Sequence, residues 1–182
     1  MKKIALVADV QNWAFDIAAH IIKRALEGKF QVDVYYSKSE EFNKDLFNIL
    51  EALENYDIIH FFWREILLDF EREYFINKVK EKYKDYNKYV NKIVKKISTG
   101  VYDHLYQDDI VYNKIFTKYC NSYVVSSYRL LDIFSNLEGV KKPSIVMGDS
   151  FEQERFFPIN IERFDNKTKP LIIGWVRKFS VE

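Results

Sequence analysis

The apolar positions of this chain switch repeatedly between two periods. Ile4 to Ala8 is a short continuous apolar run. That is the signature of a strand buried on both faces, as in a parallel sheet covered by helices on each side. From Trp13 to Leu26 the spacing becomes helical: Ile17, Ile21 and Ala25 share a face, Ile22 and Leu26 lie beside it, and Gly28 supplies a stop. Val32 to Tyr36 reads as a second strand. Phe42, Leu46, Ile49, Leu50 and Leu53 mark an amphipathic helix by their spacing. Asp57 to Trp63 is a third, nearly all-apolar strand. Strands and helices alternating in this way imply right-handed crossovers and a parallel sheet.

Between Arg64 and Lys96 the pattern changes. Lysines, among them Lys78, Lys80, Lys82, Lys84, Lys88, Lys92 and Lys95, interleave with Tyr74, Phe75, Tyr83, Tyr86 and Tyr89. The spacing predicts one or two helices there. Lys95 to Val101 is predicted as a fourth strand, and Asp108 or Asp109 as the cap of a helix reaching about Tyr119. Tyr123 to Ser126 is a fifth strand, Ser126 or Ser127 caps a helix through Leu137, and Ser144 to Met147 is a sixth strand after Pro143. Residues 148–166 show no period. Pro170 then introduces another buried-strand pattern, Leu171 to Val176. The reading is an α/β fold with a doubly wound parallel sheet. Residues 1–166 form a Rossmann-like domain, and residues 167–182 are a linker and the first strand of a further domain.

Composition narrows the class. Of the 182 residues 48% are hydrophobic, enough for a sizeable core, and 30% are charged with a net charge of only +1. That balance argues against a nucleic-acid binder, which carries a basic surplus. The single cysteine, Cys120, excludes an internal disulfide and a paired-cysteine zinc site and suits a reducing cytoplasm. No apolar run approaches the roughly 20 residues that cross a bilayer. The start, Met1 to Asp9, is too short in its apolar part, and too soon interrupted by Asp9, for a signal peptide.

Three segments carry a resemblance. Asp57-Ile58-Ile59-His60-Phe61-Phe62-Trp63 is similar to a D-I-(I/V)-H-x-H strand. Glu152 to Pro158, after Val146-Met147-Gly148, is similar to an N-G-V-D-x-x-x-F-x-P segment. Ile172-Ile173-Gly174-Trp175-Val176-Arg177 is similar to an I-G-(Y/F)-V-G-R strand. In this order they resemble the N-terminal half of a GT-B glycosyltransferase of the retaining group 1, or family 4, class. The resemblance implies the acceptor-side domain of an enzyme that transfers a sugar from a nucleotide-sugar donor to a glycan or lipid-linked acceptor, as in cell-surface polysaccharide synthesis. It implies no cofactor and no metal, the nucleotide sugar being a co-substrate. The chain departs from the pattern after its first strand. Asp9-Val10-Gln11-Asn12-Trp13 replaces the family's glycine-rich loop, and Trp13 and Phe15 crowd the place where a donor phosphate would approach. Phe62 replaces a histidine, Arg177 replaces a glycine, and the family's paired glutamates are not in these residues.

Ligands of a doubly wound sheet sit beyond the carboxyl ends of its strands. Residues there are therefore the candidates. His104 and Asp103 are the expected catalytic pair, able to orient an acceptor hydroxyl and take its proton. Asp9, Trp13, Arg64, Tyr102 and Ser126 are expected to bind the acceptor, and the resemblance implies that Gly148, Glu152 and Arg177 bind the donor. His60 reads as a core histidine with one nitrogen satisfied, and His20 as structural or solvated; for Arg64 a surface ion pair is the competing reading. Residues 74–96 read either as a solvated outer helix or as a peripheral contact with an anionic membrane. The strand at Leu171–Val176 is expected to be disordered, to fold back on the first domain or to pair with another chain as a dimer. The alternative function is a non-catalytic, receiver-like binding or regulatory domain. It requires an aspartate ending the third strand, where Phe62-Trp63-Arg64 stands, and a lysine ending the fifth. A dinucleotide enzyme is excluded by the missing G-x-G-x-x-G after the first strand.

Overall fold

A computed structural model describes residues 1–148. The boundary expected at residue 166, the strand Leu171–Val176, and the residues Glu152 and Arg177 lie outside the described residues.

The described residues are a Rossmann-like doubly wound α/β domain. Its strands are β1 Lys3–Ala8, β2 Gln31–Tyr36, β3 Ile58–Phe61, β4 Ile97–Val101, β5 Ser122–Val125 and β6 Ile145–Val146. All are parallel, in the order β2-β1-β3-β4-β5-β6. The helices are α1 Ala14–Ala25, α2 Leu46–Ala52, α3 Glu73–Tyr83, α4 Tyr86–Ile93, α5 Ile110–Lys118 and α6 Tyr128–Asn136. Short 3-10 segments at Arg64–Glu71 and Val94–Lys96 lead into α3 and β4.

Local chemistry sets the helix starts. The Asp45 carboxylate accepts from the Phe47 N–H at 2.9 Å, and Asp85 accepts from Lys88 N–H at 2.9 Å. Asp109 accepts from Tyr112 N–H at 2.9 Å, and the Ser127 hydroxyl from Leu130 N–H at 3.2 Å. Each satisfies an amide that the first helical turn leaves without a partner. Of the two alternative caps for α5 and α6, Asp109 and Ser127 do the work.

The two sheet faces are covered unequally. Ile4, Leu6, Ala8 and Val32 pack against Ala19 and its neighbours on α1. On the opposite face Ala5, Val7, Ile59, Phe61, Ile97, Val101, Tyr123 and Val125 join side chains of α2 to α6 in one large core. Two-sided burial therefore holds for β1 and not for the sheet beyond it. In β5 Tyr123 and Val125 are buried while Ser122 and Val124 are half-buried, and in β3 Ile58 is exposed. Topology is the reason: among the described residues only the β1-to-β2 crossover runs outward in its direction, so of their helices only α1 lands on that face.

Residues 64–96 clamp α2. Phe75, Val79, Tyr89, Val90 and Ile93 are buried. Lys78 pairs with Asp45, Lys82 with Glu51, and Lys92 with Glu54 at 3.1 Å. The Tyr83 hydroxyl donates to Glu51 and the Tyr86 hydroxyl to the Phe70 carbonyl. These aromatics face the protein, and three of the lysines bridge helices. No helix of the described residues is long and apolar enough to cross a membrane.

Candidate functional site

The chain leaves β1 toward β2 and then returns past β1 to β3, so the loops above these strands diverge. Ligand crevices of doubly wound sheets form at such a switch point. Here a crevice of about 510 Å³ opens above the carboxyl ends of β1, β2 and β3. Asp9, Lys38, Lys44, Trp63, Glu65 and Arg72 line it, with Leu105 and Tyr106 contributed from beyond β4.

Asp9 is 3% exposed. One carboxylate oxygen accepts from Lys38 Nζ at 3.0 Å, while the other, Oδ1, is buried with no hydrogen-bond partner among the described residues. Trp63 Nε1 is likewise buried and unpartnered. A buried acceptor and a buried donor left unsatisfied each cost on the order of 1–3 kcal/mol. Both belong to residues that line one crevice, as does Glu65, whose Oε2 is also buried with no hydrogen-bond partner among the described residues. The backbone adds a second mark. Lys44 and Tyr106 on the crevice have φ of 59° each, and Asn12 and Asn43 in the adjoining loops have 61° and 47°. Left-handed conformations of non-glycine residues concentrate at ligand sites.

The start of α1 is already occupied. Asp16 accepts from the Asn12 N–H at 2.8 Å and from the Tyr36 hydroxyl at 2.7 Å, with His20 Nε2 at 3.2 Å. Burial and this bond push the Tyr36 phenol up to about 12. The positive end of the helix thus faces the chain's own carboxylate, where dinucleotide folds place a phosphate.

A second, apolar cleft of about 220 Å³ lies beside α1, lined by Phe15, Ala18, Ile22, Phe62, Tyr102 and Met147, with Gly148 at its edge. The Phe15 ring stands 5.3 Å from Phe62, 5.0 Å from Tyr102 and 5.1 Å from Trp63, centroid to centroid. Gly100 makes room for this group, because a Cβ there would collide with the Tyr102 ring. Tyr102 also faces His60, whose Nε2 lies 3.4 Å from its hydroxyl and whose Nδ1 lies 2.9 Å from Ser98 Oγ. Burial lowers the His60 pKa to about 4, so the ring is neutral near pH 7.

The expected site residues separate in space. Asp9 sits in the polar crevice; Tyr102 and Gly148 line the apolar cleft. Asp103 forms an ion pair with Arg64 at 2.8 Å and accepts from Leu105 N–H at 2.9 Å. Arg64 is 2% exposed rather than a surface group, and its Nη2 also donates to the Leu105 carbonyl at 2.9 Å. Burial works against its charge, but Asp103, Tyr112 and Glu65 outweigh that and hold its pKa above the ordinary value. The pair therefore ties the exit of β3 to the loop that carries Leu105 and Tyr106. His104 is exposed, with Nδ1 3.2 Å from Gln107 Oε1, and lines neither cleft. Trp13 is 53% exposed at the N-cap of α1. The Ser126 hydroxyl donates to the Tyr102 carbonyl at 3.4 Å. Sequence reasoning missed Lys38, Lys44 and Arg72. The first was within reach: the carboxyl-end rule applied to β2, as to the other strands, names Ser37 and Lys38.

No cluster of three or more histidine, cysteine, aspartate or glutamate side chains among the described residues could hold a metal ion. No protein-family model, curated protein or solved structure matches this chain.

Proposed function

We propose that this chain is the acceptor-side domain of a nucleotide-sugar-dependent glycosyltransferase, with the polar crevice at the switch point as its acceptor site. The observation that carries the reading is the set of buried, unsatisfied polar atoms on residues that line the crevice: Asp9 Oδ1, Trp63 Nε1 and Glu65 Oε2. A sugar hydroxyl is both a donor and an acceptor, the two functions that these groups lack. In this reading Asp9, held by Lys38, orients the acceptor hydroxyl and takes its proton as the oxygen bonds to the anomeric carbon of the donor sugar and the bond from that carbon to the nucleotide's phosphate breaks, the nucleotide leaving with the electron pair. Asp103 and Arg64 act one step away by fixing the loop beyond β4. The resemblance of Asp57–Trp63 to the family's strand supports the class independently of the crevice. The receiver-like alternative finds no support, since Phe62 and Trp63 follow β3 where a phosphate-accepting aspartate would stand.

The test is ligand-observed NMR of the full chain with the methyl glycosides of glucose, galactose, mannose and N-acetylglucosamine. At least one is expected to bind, and Asp9→Asn is expected to abolish that binding. Silence across the panel, or binding indifferent to Asp9→Asn, would overturn the reading.

A further inference from the structure

Tyr106 lines the crevice from the loop between β4 and α5. One face of its ring lies on Tyr112, with centroids 4.6 Å apart and planes inclined by 29°. Among the described residues no other ring stacks on it, and Tyr106 is 52% exposed, so its second face is open. Trp63, the other aromatic residue on the crevice, is instead packed against Phe15.

The backbone fixes this position at a cost. Tyr106 has a φ of 59°, a left-handed conformation that a residue with a bulky side chain adopts only where its surroundings enforce it. Here they do. The Tyr106 carbonyl accepts from the Asp109 N–H and from Asn113 Nδ2, at 3.0 Å each. The Leu105 N–H donates to Asp103, and the Leu105 carbonyl accepts from Arg64 Nη2, both at 2.9 Å. Arg64 and Asn113 are themselves buried, so the turn is anchored to the core from two sides. A ring that served only the fold would gain most by burying both faces. This strained, anchored turn instead leaves Tyr106 half uncovered on the crevice that holds the unsatisfied groups.

Resting on the acceptor-site reading, the geometry points to Tyr106 as the sugar-stacking residue of the crevice, a preformed platform on which one face of the acceptor's ring lies. The chemistry fits a pyranose. Its hydroxyls radiate from the rim, while C–H groups occupy its faces. The negative face of an aromatic ring attracts those hydrogens and removes them from water. Hydroxyls at the rim stay available to Asp9 and Trp63. Because the turn is fixed before the ligand arrives, little order is lost on binding.

The experiment titrates the full chain by proton NMR with whichever methyl glycoside of the panel binds, and compares Tyr106→Phe, Tyr106→Leu and Tyr106→Gly. Stacking sets the C–H protons of one sugar face over the ring, whose current moves them upfield. That shift, at near-unchanged affinity, is expected for the unaltered chain and for Tyr106→Phe. Tyr106→Leu keeps apolar bulk without a ring; it is expected to bind roughly tenfold more weakly, with the upfield shift gone. Tyr106→Gly should do the same while leaving the turn intact, since glycine adopts this φ freely; circular dichroism checks the fold of each variant. Unchanged affinity in either ringless variant, or an upfield shift that outlives the ring, overturns the platform and leaves the crevice standing as a sugar site. Equal losses in Tyr106→Phe and Tyr106→Leu overturn it as well, because the phenol hydroxyl and not the ring would then be responsible. Failure of every methyl glycoside, or binding indifferent to Asp9→Asn, instead overturns the acceptor-site reading.

Discussion

At the scale of single residues, two carboxylates at strand ends have opposite characters. Asp103 compensates a buried guanidinium, so its loss is costly. Arg64 cannot reach water, whereas the Asp103 side chain is 31% exposed and can. Asp103→Ala, which strands the buried charge, should cost about 3 kcal/mol. Arg64→Met, which keeps the volume and frees a carboxylate that is already partly solvated, should cost less than half of that. Urea denaturation of both variants checks the asymmetry; equal losses would mean that the pair is not the anchor described. Asp9 should behave differently. Its unpartnered oxygen is a cost that folding already carries, and Lys38 is 41% exposed, so the ion pair itself contributes little. Asp9→Asn should alter folding stability by less than about 1 kcal/mol even where ligand binding is lost. A large destabilisation would reassign Asp9 to the scaffold.

At the scale of elements, most boundaries were legible because their causes are local. The apolar run Ile4–Ala8, the helical spacing after Trp13 and the capping side chains each act within a few residues. Caps also distinguish helices that depend on them differently. Ser127 supplies α6 with one bond to an amide, whereas Asp45 caps α2 and reaches Lys78 on α3. Ser127→Ala should therefore cost about 1 kcal/mol, and Asp45→Ala distinctly more. Thermal melts of the two variants make the comparison. Equal shifts would show that the α2–α3 bridge adds nothing. The stretch 64–96 was harder to read. Its lysines and tyrosines have no single period because they answer to acids far away in the chain, Asp45, Glu51 and Glu54.

At the scale of the whole molecule, the strand order decides which groups are buried and so how stability follows pH. His60 lies on the thinly covered side of β3, closed in by Phe62 and Tyr102. Its folded pKa of about 4 lies below the unfolded value near 6.5, so between these pH values the unfolded chain binds the extra proton. Stability is unaffected by this group above pH 6.5 and falls as the pH drops toward 4. By pH 5 its share of the loss is on the order of 2 kcal/mol. His60→Gln should flatten the stability profile across this window in urea unfolding, and an unchanged slope would place the acid sensitivity elsewhere.

The sequence by itself determined the parallel α/β class, the order of strands and helices along the chain, and the end of the sheet where a site must lie. These follow from side-chain periodicity and from the handedness of crossovers, which act locally or hold for every chain of this class. It also marked Asp9, at the end of the first apolar run. Only the tertiary structure decided the rest. It set His104 out at the surface, enlisted Asp103 to hold Arg64, and brought Lys38, Trp63 and Tyr106 around Asp9. Among the described residues it also placed the helices beside β3 to β6 on a single face. Each of these depends on which loops meet in space, and such pairings are set by packing between residues distant in the chain, where no sequence period reaches.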